Sequence, residues 1–236
     1  MLLEGFRPGT ADRLGIGYEQ VKKVNPTVIY CSLTGYGQQP NRLAHLAGHD
    51  LNYAARSGLL AQLKDASGHP IVPSVPFADL IGGLVAVEAI LAALVNKERT
   101  GIGAYLDVAM MVALQGMLHI HAMASATIGA EDGIHEINGH YVCYHLYPTK
   151  DGRTVALAAL EEKFWENFCL AVNRPDWLDQ QYLPALAEQP VYQQIREMFR
   201  QRTMKEWTEL GERADCCLQP VLSIQEAFFS KDFSLD

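Results

Sequence analysis

The sequence predicts an α/β region followed by an α+β region, and three features indicate this order. An apolar run rich in β-branched residues at 27–33 predicts a buried strand, which leads into a Gly-rich loop at 34–38. Two apolar stretches rich in Ala and Leu, 80–96 and 112–128, predict helices. After a polar segment at 129–139 the pattern changes to strands joined by a turn, followed by helices.

Local signals fix the remaining elements of the first region. Residues 6–9, Phe-Arg-Pro-Gly, predict a turn, and a short helical pattern that opens at Gly17 is stopped by Asn25-Pro26. Residues 51–55 predict a helix, and residues 105–108 a short strand. A strand that runs into a Gly-rich loop is where α/β proteins place binding residues.

The second region is predicted to begin with two strands, which are followed by helices. Strands are expected at 142–147 and 154–158, joined by a turn at 150–152. Three amphipathic patterns predict helices at 164–172, 191–200 and 204–213. We therefore expect a large α/β domain over residues 1–130 and a small α+β domain over residues 131–236.

Composition excludes several classes of function. Among 236 residues, 19 Lys and Arg stand against 27 Asp and Glu, and a net charge of −8 argues against a general nucleic-acid binder. The longest apolar stretch, 80–95, has 16 residues with Glu88 inside it, so we expect no membrane span. Five scattered cysteines without a C-x-x-C pair, and no signal-peptide pattern in MLLEGFRPG, predict a cytoplasmic protein.

Two motifs are too weak to carry a prediction. Gly15-x-Gly17 lacks both a third glycine and a preceding strand, so it does not indicate a dinucleotide site. His135 and His140 are one residue too far apart for a zinc helix, and Gly139 would break that helix. We therefore expect no metal site.

Three residues are better candidates for chemistry, although each also has a structural interpretation. His49, followed by Asp50, could mark a helix start that Asp50 caps. Asp79 precedes a long apolar helix and is a natural N-cap. Glu161 could belong to a first helical turn, where acids are favoured.

Several long motifs decide between these interpretations. AGHDLNY at 47–53 resembles the catalytic segment of the α-methylacyl-CoA racemases, which belong to the class III CoA-transferase (CaiB/BaiF-type) superfamily. The resemblance continues in order through EGFRPGTADRLGIG from residue 4, PFADLIGG at 76–83, RTGIGAYLDVAMM at 99–111, YPTKDGRTVALAALEEKFW at 147–165 and CCLQPVL at 216–222. It covers essentially the whole chain. It implies a class III CoA-transferase fold, in which residues 1–130 are a partial Rossmann-like domain without its N-terminal strands.

The resemblance implies a reaction at the acyl part of a coenzyme A thioester, with no cofactor other than the coenzyme A carried by the substrate. By motif match, His49 and Asp79 face opposite sides of the α-carbon, and Glu161 orients His49. Histidine titrates near neutral pH, and burial can bring a carboxylate there. Arg7 and Arg13 match positions that meet the coenzyme phosphates, which suit guanidinium forks. The family forms interlocked homodimers, so we expect one here.

The enolate oxygen of such a reaction also needs hydrogen-bond donors. We expect backbone N–H groups at the start of the helix after Asp79 to supply them, with Gly82 and Gly83 permitting close approach.

Two other interpretations remain open. ADLIGG has one glycine fewer than the racemases and is more similar to CoA-transferases, in which an aspartate at Asp79 attacks the acyl-CoA carbonyl and forms a mixed anhydride. The loop at 37–50 also lacks the usual Gly-Pro.

Finally, family members extend further at both ends, so the chain could be an inactive fragment. We favour a 2-methylacyl-CoA racemase.

Overall fold

A computed structural model describes residues 1–65, 67–130 and 133–229. Contacts divide the chain into two units, Met1–Asp132 and Gly133–Asp236. The predicted boundary, after residue 130, lies beside this division.

The first unit is built on a three-stranded parallel sheet. Its strands are β1 (Leu2–Glu4), β2 (Ile29–Thr34) and β3 (Ala104–Ala109), in the order β1-β2-β3. The central strand β2 is almost wholly buried, with Cys31 paired to Leu3 on one side and Leu106 on the other. Strand β1 was not predicted, because three residues show no periodicity and become a strand only through pairing with β2.

Helices connect these strands, as parallel pairing requires. In chain order they are α1 (Thr10–Arg13), α2 (Tyr18–Val24), α3 (Asp50–Ser57), α4 (Leu59–Gln62), α5 (Phe77–Thr100), α6 (Met110–Met117) and α7 (His119–Ile128). The single helix predicted over 112–128 is wrong: the chain bends by 59° at Leu118, between α6 and α7.

Helix α5 is longer than the sequence pattern indicated. Its 24 residues rise about 36 Å, and by length and composition it is long and apolar enough to cross a bilayer. The expectation that this segment is too short to span is therefore corrected. Only 22% of its most apolar window is buried within this chain. Core helices of soluble proteins pass the same test, and within the described residues α6 and α7 would pass only as a bent pair.

The second unit contains an antiparallel sheet flanked by helices. Strands β4 (Tyr144–Pro148), β5 (Thr154–Ala158) and β6 (Leu218–Pro220) lie in the order β4-β5-β6. The helices are α8 (Glu162–Ala171), α9 (Pro190–Phe199), α10 (Met204–Ala214) and α11 (Ile224–Phe229), with a 3-10 turn at Pro175–Gln180. Fully buried aromatic side chains form its core: Tyr147, Trp165, Phe168, Trp177, Phe199 and Trp207.

Candidate active site

The carboxyl ends of the three parallel strands open onto one small cavity. Because parallel strands end at the same edge of a sheet, the segments that follow β1, β2 and β3 meet there. The cavity holds about 170 Å³, and its lining includes Gly5, Arg7, Gly35, Gly48, Tyr53 and Met110. This is the edge at which open α/β sheets bind ligands.

The Gly-rich loop after β2 is held in place by a carboxylate from β3. Asp107 accepts hydrogen bonds from the backbone N–H of Gln38, at 2.9 and 3.0 Å to its two oxygens, and from that of Gln39 at 3.2 Å. Gly37 has φ of 89°, a left-handed conformation that favours glycine. This role of Asp107 leaves no signal in the sequence, because its partners lie 68 and 69 residues away.

His49 stands immediately before α3, and its backbone is held on both sides. Its N–H donates to Asn52 Oδ1 at 3.0 Å, and the carbonyl of Gly48 accepts a bond from the Tyr53 hydroxyl at 2.5 Å. A Cβ at Gly48 would lie 2.6 Å from the Tyr53 ring, so this close approach requires glycine. The imidazole itself is exposed. A fixed backbone therefore carries an accessible histidine.

The structural interpretations of Asp50 and Asp79 as caps of their own helices are both wrong. Helix α5 begins at Phe77, so Asp79 lies within its first turn and its side chain is exposed. The residue before α5 is Pro76, which offers no capping side chain. Asp50 supplies the cap from another helix, with its Oδ1 accepting the N–H of Ala78 at 2.6 Å and that of Asp79 at 3.1 Å. The structure therefore brings together the backbone segments that carry His49 and Asp79.

The same contacts overturn the expectation that the start of α5 stabilises an enolate. The N–H groups of Ala78 and Asp79 are bound by Asp50. Those of Phe77 and Leu80 donate to the carbonyls of Val75 and Pro76. These donors are therefore already used within the chain.

Tyr53 links the candidate groups electrostatically. Burial raises the pKa of its hydroxyl, Tyr36 and Asp79 raise it further, and Arg7 lowers it. Asp79 and Arg7 therefore both lie within electrostatic reach of the hydroxyl that holds Gly48.

Arg7 and Arg13 occupy different surroundings. Arg7 lines the 170 Å³ cavity and also a second one of about 350 Å³, whose wall includes Tyr18, Tyr30 and Tyr105. Arg13 donates to Thr10 Oγ1 at 2.9 Å. Both guanidinium groups are exposed. Burial, followed by the nearby Glu4, raises the pKa of Tyr30 to about 12. The wall of this second cavity also carries the carboxylates of Glu4, Asp12 and Glu19.

Glu161 belongs to the second unit. It is the residue before α8, rather than part of its first turn, and its exposed side chain makes no capping bond. The backbone beside it is fixed, because Leu160 accepts bonds from the Gln181 amide at 2.8 Å and the Tyr182 hydroxyl at 2.6 Å. Its pairing with His49 stays a prediction.

The histidines of the weak zinc motif lie side by side although no helix aligns them. The rings of His135 and His140 stack with centroids 4.4 Å apart. Burial and the neighbouring His135 lower the pKa of His140. The part of the chain that the structure describes contains no group of three or more His, Cys, Asp or Glu side chains suited to a metal ion.

The chain belongs to CoA-transferase family III, whose pattern matches residues 1–235. The family and fold class predicted from the motifs are thereby confirmed. An alpha-methylacyl-CoA racemase of Homo sapiens is 31% identical over 234 residues, which are 96% of this chain and 60% of the relative. A succinyl-CoA:glutarate CoA-transferase of Mus musculus is 30% identical over 97% of this chain and 53% of its own length.

Solved structures show the same fold. The orthorhombic form of Rv3272 from M. tuberculosis matches with a TM-score of 0.79 and 25% identity, over 98% of this chain and 62% of that one. A CAIB/BAIF family protein from Brucella suis matches with a TM-score of 0.81 at 23% identity, over the same shares of the two chains. The chain therefore spans between half and two thirds of the length of these relatives.

Proposed function

We propose that the protein is a racemase of 2-methylacyl-CoA thioesters, with His49 and Asp79 as the two groups that exchange the α-proton. The observation that carries this proposal is the bond between Asp50, the neighbour of His49, and the backbone N–H of Asp79. It joins the backbone segments that carry a histidine and a carboxylate at the carboxyl edge of the sheet. A reaction with a base on each face of the α-carbon needs such a pair.

The proposed reaction has two proton transfers. One group removes the α-proton, and the electron pair of the C–H bond moves into the thioester to give an enolate. The other group then delivers a proton to the opposite face, which inverts the configuration. Asp50 and Leu51 at the start of α3 offer N–H groups that bond no acceptor within the described residues, and these replace the start of α5 as proposed donors to the enolate oxygen.

Arg7 and Arg13 are proposed to bind the phosphates of coenzyme A, and Glu161 to orient His49. The position of Arg7 on the 170 Å³ cavity, whose lining carries no carboxylate, supports its part of the proposal. A guanidinium fork on a phosphate contributes about 1.5–3 kcal/mol. Because Arg7 and Arg13 remain exposed, both are accessible to an anionic ligand.

A CoA-transferase is the second candidate. The exposed carboxylate of Asp79 and the 30% identity to a CoA-transferase favour it. In this reaction Asp79 attacks the thioester carbonyl, the C–S bond breaks and the coenzyme A thiolate leaves, so that a mixed anhydride remains on the enzyme. The α-carbon takes no part, and His49 has no required role.

Incubation of the protein at its full natural length with a 2-methylacyl-CoA in deuterated water separates these candidates. The racemase proposal predicts deuterium at the α-carbon, with loss of that exchange in His49→Ala for the enantiomer whose α-proton His49 removes. A hydroxylamine-trapped acyl adduct that disappears in Asp79→Asn, without α-exchange, would instead identify a transferase. Absence of both signals would refute both candidates, whereas signals that are present at full natural length and lost in the 236-residue chain would support the inactive-fragment interpretation.

A further inference from the structure

Asp50 connects two segments that the sequence keeps far apart. It is the first residue of α3 and directly follows His49, so the two Cα atoms lie about 3.8 Å apart. Its Oδ1 atom accepts bonds from two consecutive backbone N–H groups, those of Ala78 and Asp79, which are 28 and 29 residues away. A single oxygen atom thus links the start of α5 to the start of α3, beside the apolar packing of Ala54 and Ala78.

The two N–H groups that Asp50 binds receive no cap from the residue before their own helix. A helix leaves its first N–H groups without intrahelical acceptors, and the residue before the helix normally supplies one from its side chain. Pro76 occupies that position in α5 and makes no side-chain cap. Asp50 therefore does more than a local cap would: it satisfies α5 from the segment that carries His49.

We infer that Asp50 is a positioning residue, whose carboxylate fixes the separation between His49 and Asp79 by holding the first turn of α5 against the start of α3. This inference rests on the proposed function, since the separation matters only if both groups act on one substrate. The His49 side of the connection is rigid, because Asn52 and Tyr53 hold the backbone at His49 and Gly48. The Asp79 side is held by the two bonds to Asp50 and by the packing of Ala78 in the apolar cluster that includes Tyr53 and Ala54.

Two substitutions at Asp50 separate the effect of its charge from the effect of its hydrogen bonds. In Asp50→Asn the amide oxygen can still accept both N–H bonds, so the spacing is kept. In Asp50→Ala the acceptor is lost and α5 can shift. A displacement of about 1 Å in a reacting group costs on the order of 10²-fold in rate.

A matched control is available in the second unit. Thr203 caps α10, its Oγ1 accepting the N–H of Glu206 at 3.3 Å, so Thr203→Ala also removes one helix cap. If Asp50 served stability alone, Asp50→Ala and Thr203→Ala would have similar effects on activity per folded molecule.

The experiment compares wild type, Asp50→Ala, Asp50→Asn and Thr203→Ala, each at full natural length, with one enantiomer of a 2-methylacyl-CoA in deuterated water. We expect kcat for inversion to fall by about 10²-fold in Asp50→Ala with little change in KM. Deuterium incorporation with retained configuration, which needs only one of the two groups, should fall less. Asp50→Asn should restore most of the inversion, and Thr203→Ala should leave it unchanged.

Amide hydrogen exchange over residues 76–80, measured on the same samples, reports the Asp50 contact independently of the chemistry. Faster exchange is expected in Asp50→Ala and not in Thr203→Ala. Equal loss of inversion and retention, or unchanged amide exchange in Asp50→Ala, would overturn the inference while leaving the racemase proposal intact. A wild-type protein that exchanges no α-proton would refute the proposed function, and with it the role of Asp50 in proton transfer.

Discussion

Replacing Gly35 with alanine should displace Tyr53 and so release the backbone before His49. An added Cβ would lie 2.1 Å from Cε1 and 2.3 Å from Cζ of the Tyr53 ring, far inside the contact distance of about 3.5 Å. The ring cannot yield easily, because it is buried and packs edge-to-face on Tyr36 with centroids 5.0 Å apart.

Two costs add in this variant. Overpacking of a well-filled site costs about 1–3 kcal/mol, and loss of the Tyr53 bond to Gly48 costs about 0.5–1.5 kcal/mol. We therefore expect the free energy of unfolding to fall by about 1.5–4.5 kcal/mol. Urea denaturation measures this fall, and amide exchange at residues 48–50 should accelerate in the same variant.

Gly116→Ala is the matched control. Gly116 lies in α6 with nothing within 4 Å of the added methyl group, so alanine should stabilise the helix by about 0.5–1 kcal/mol. In a Tyr53→Ala background, Gly35→Ala should lose most of its cost, because the ring it strikes is gone. Equal effects of the two glycine substitutions, or no coupling to Tyr53, would refute the reasoning.

Three further predictions concern the ligand, the pH response and the exposed helix. Arg7→Ala should weaken binding of a CoA thioester by about 1.5–3 kcal/mol without unfolding the protein; titration calorimetry checks this, and unchanged affinity would remove Arg7 from the site. The Arg153 guanidinium, followed by hydrogen bonds with Ser223, lowers the pKa of Glu226 from 4.5 to about 2. The stability from these bonds is therefore present above pH 4.5 and is lost as the pH falls toward 2. Amide exchange in α11 should therefore accelerate on acidification, and Arg153→Ala should weaken that pH dependence, because Ser223 still donates to the carboxylate. The side chain of Leu84 on α5 is 66% exposed, and we expect it to be covered in a dimer of this chain. Leu84→Glu should therefore shift the protein from dimer toward monomer in light scattering. A monomeric wild type would contradict this expectation.

The sequence predicts most strongly those elements whose signals are local. Strand β5 begins and ends at the predicted residues, Thr154 and Ala158, because its alternation and the preceding Lys-Asp-Gly turn lie within ten residues. Strand β1 at Leu2–Glu4 depends on pairing with β2, more than twenty residues away. Such a contact leaves no pattern within three residues.

In the candidate site, too, local motifs could be predicted and contacts between distant residues could not. His49 and Asp79 were found through motifs, and the structure joins their segments through Asp50. The role of Asp50 could not be predicted, because a capping preference identifies the residue type and not which helix it caps. The role of Asp107 could not be predicted either, because the loop that it binds at Gln38 is distant from it in the sequence.

Stereospecific deuterium exchange tests the central claim most directly. Each enantiomer of a 2-methylacyl-CoA is incubated separately in deuterated water with wild type, His49→Ala and Asp79→Asn, and deuterium at the α-carbon is followed by mass spectrometry. The two-base account predicts that His49→Ala abolishes exchange of one enantiomer and Asp79→Asn that of the other, while neither variant inverts either substrate. Losses should reach or exceed the roughly 10²–10⁴-fold typical of a general acid–base residue. Exchange of both enantiomers that survives in His49→Ala, or its absence in the wild type, would contradict the account.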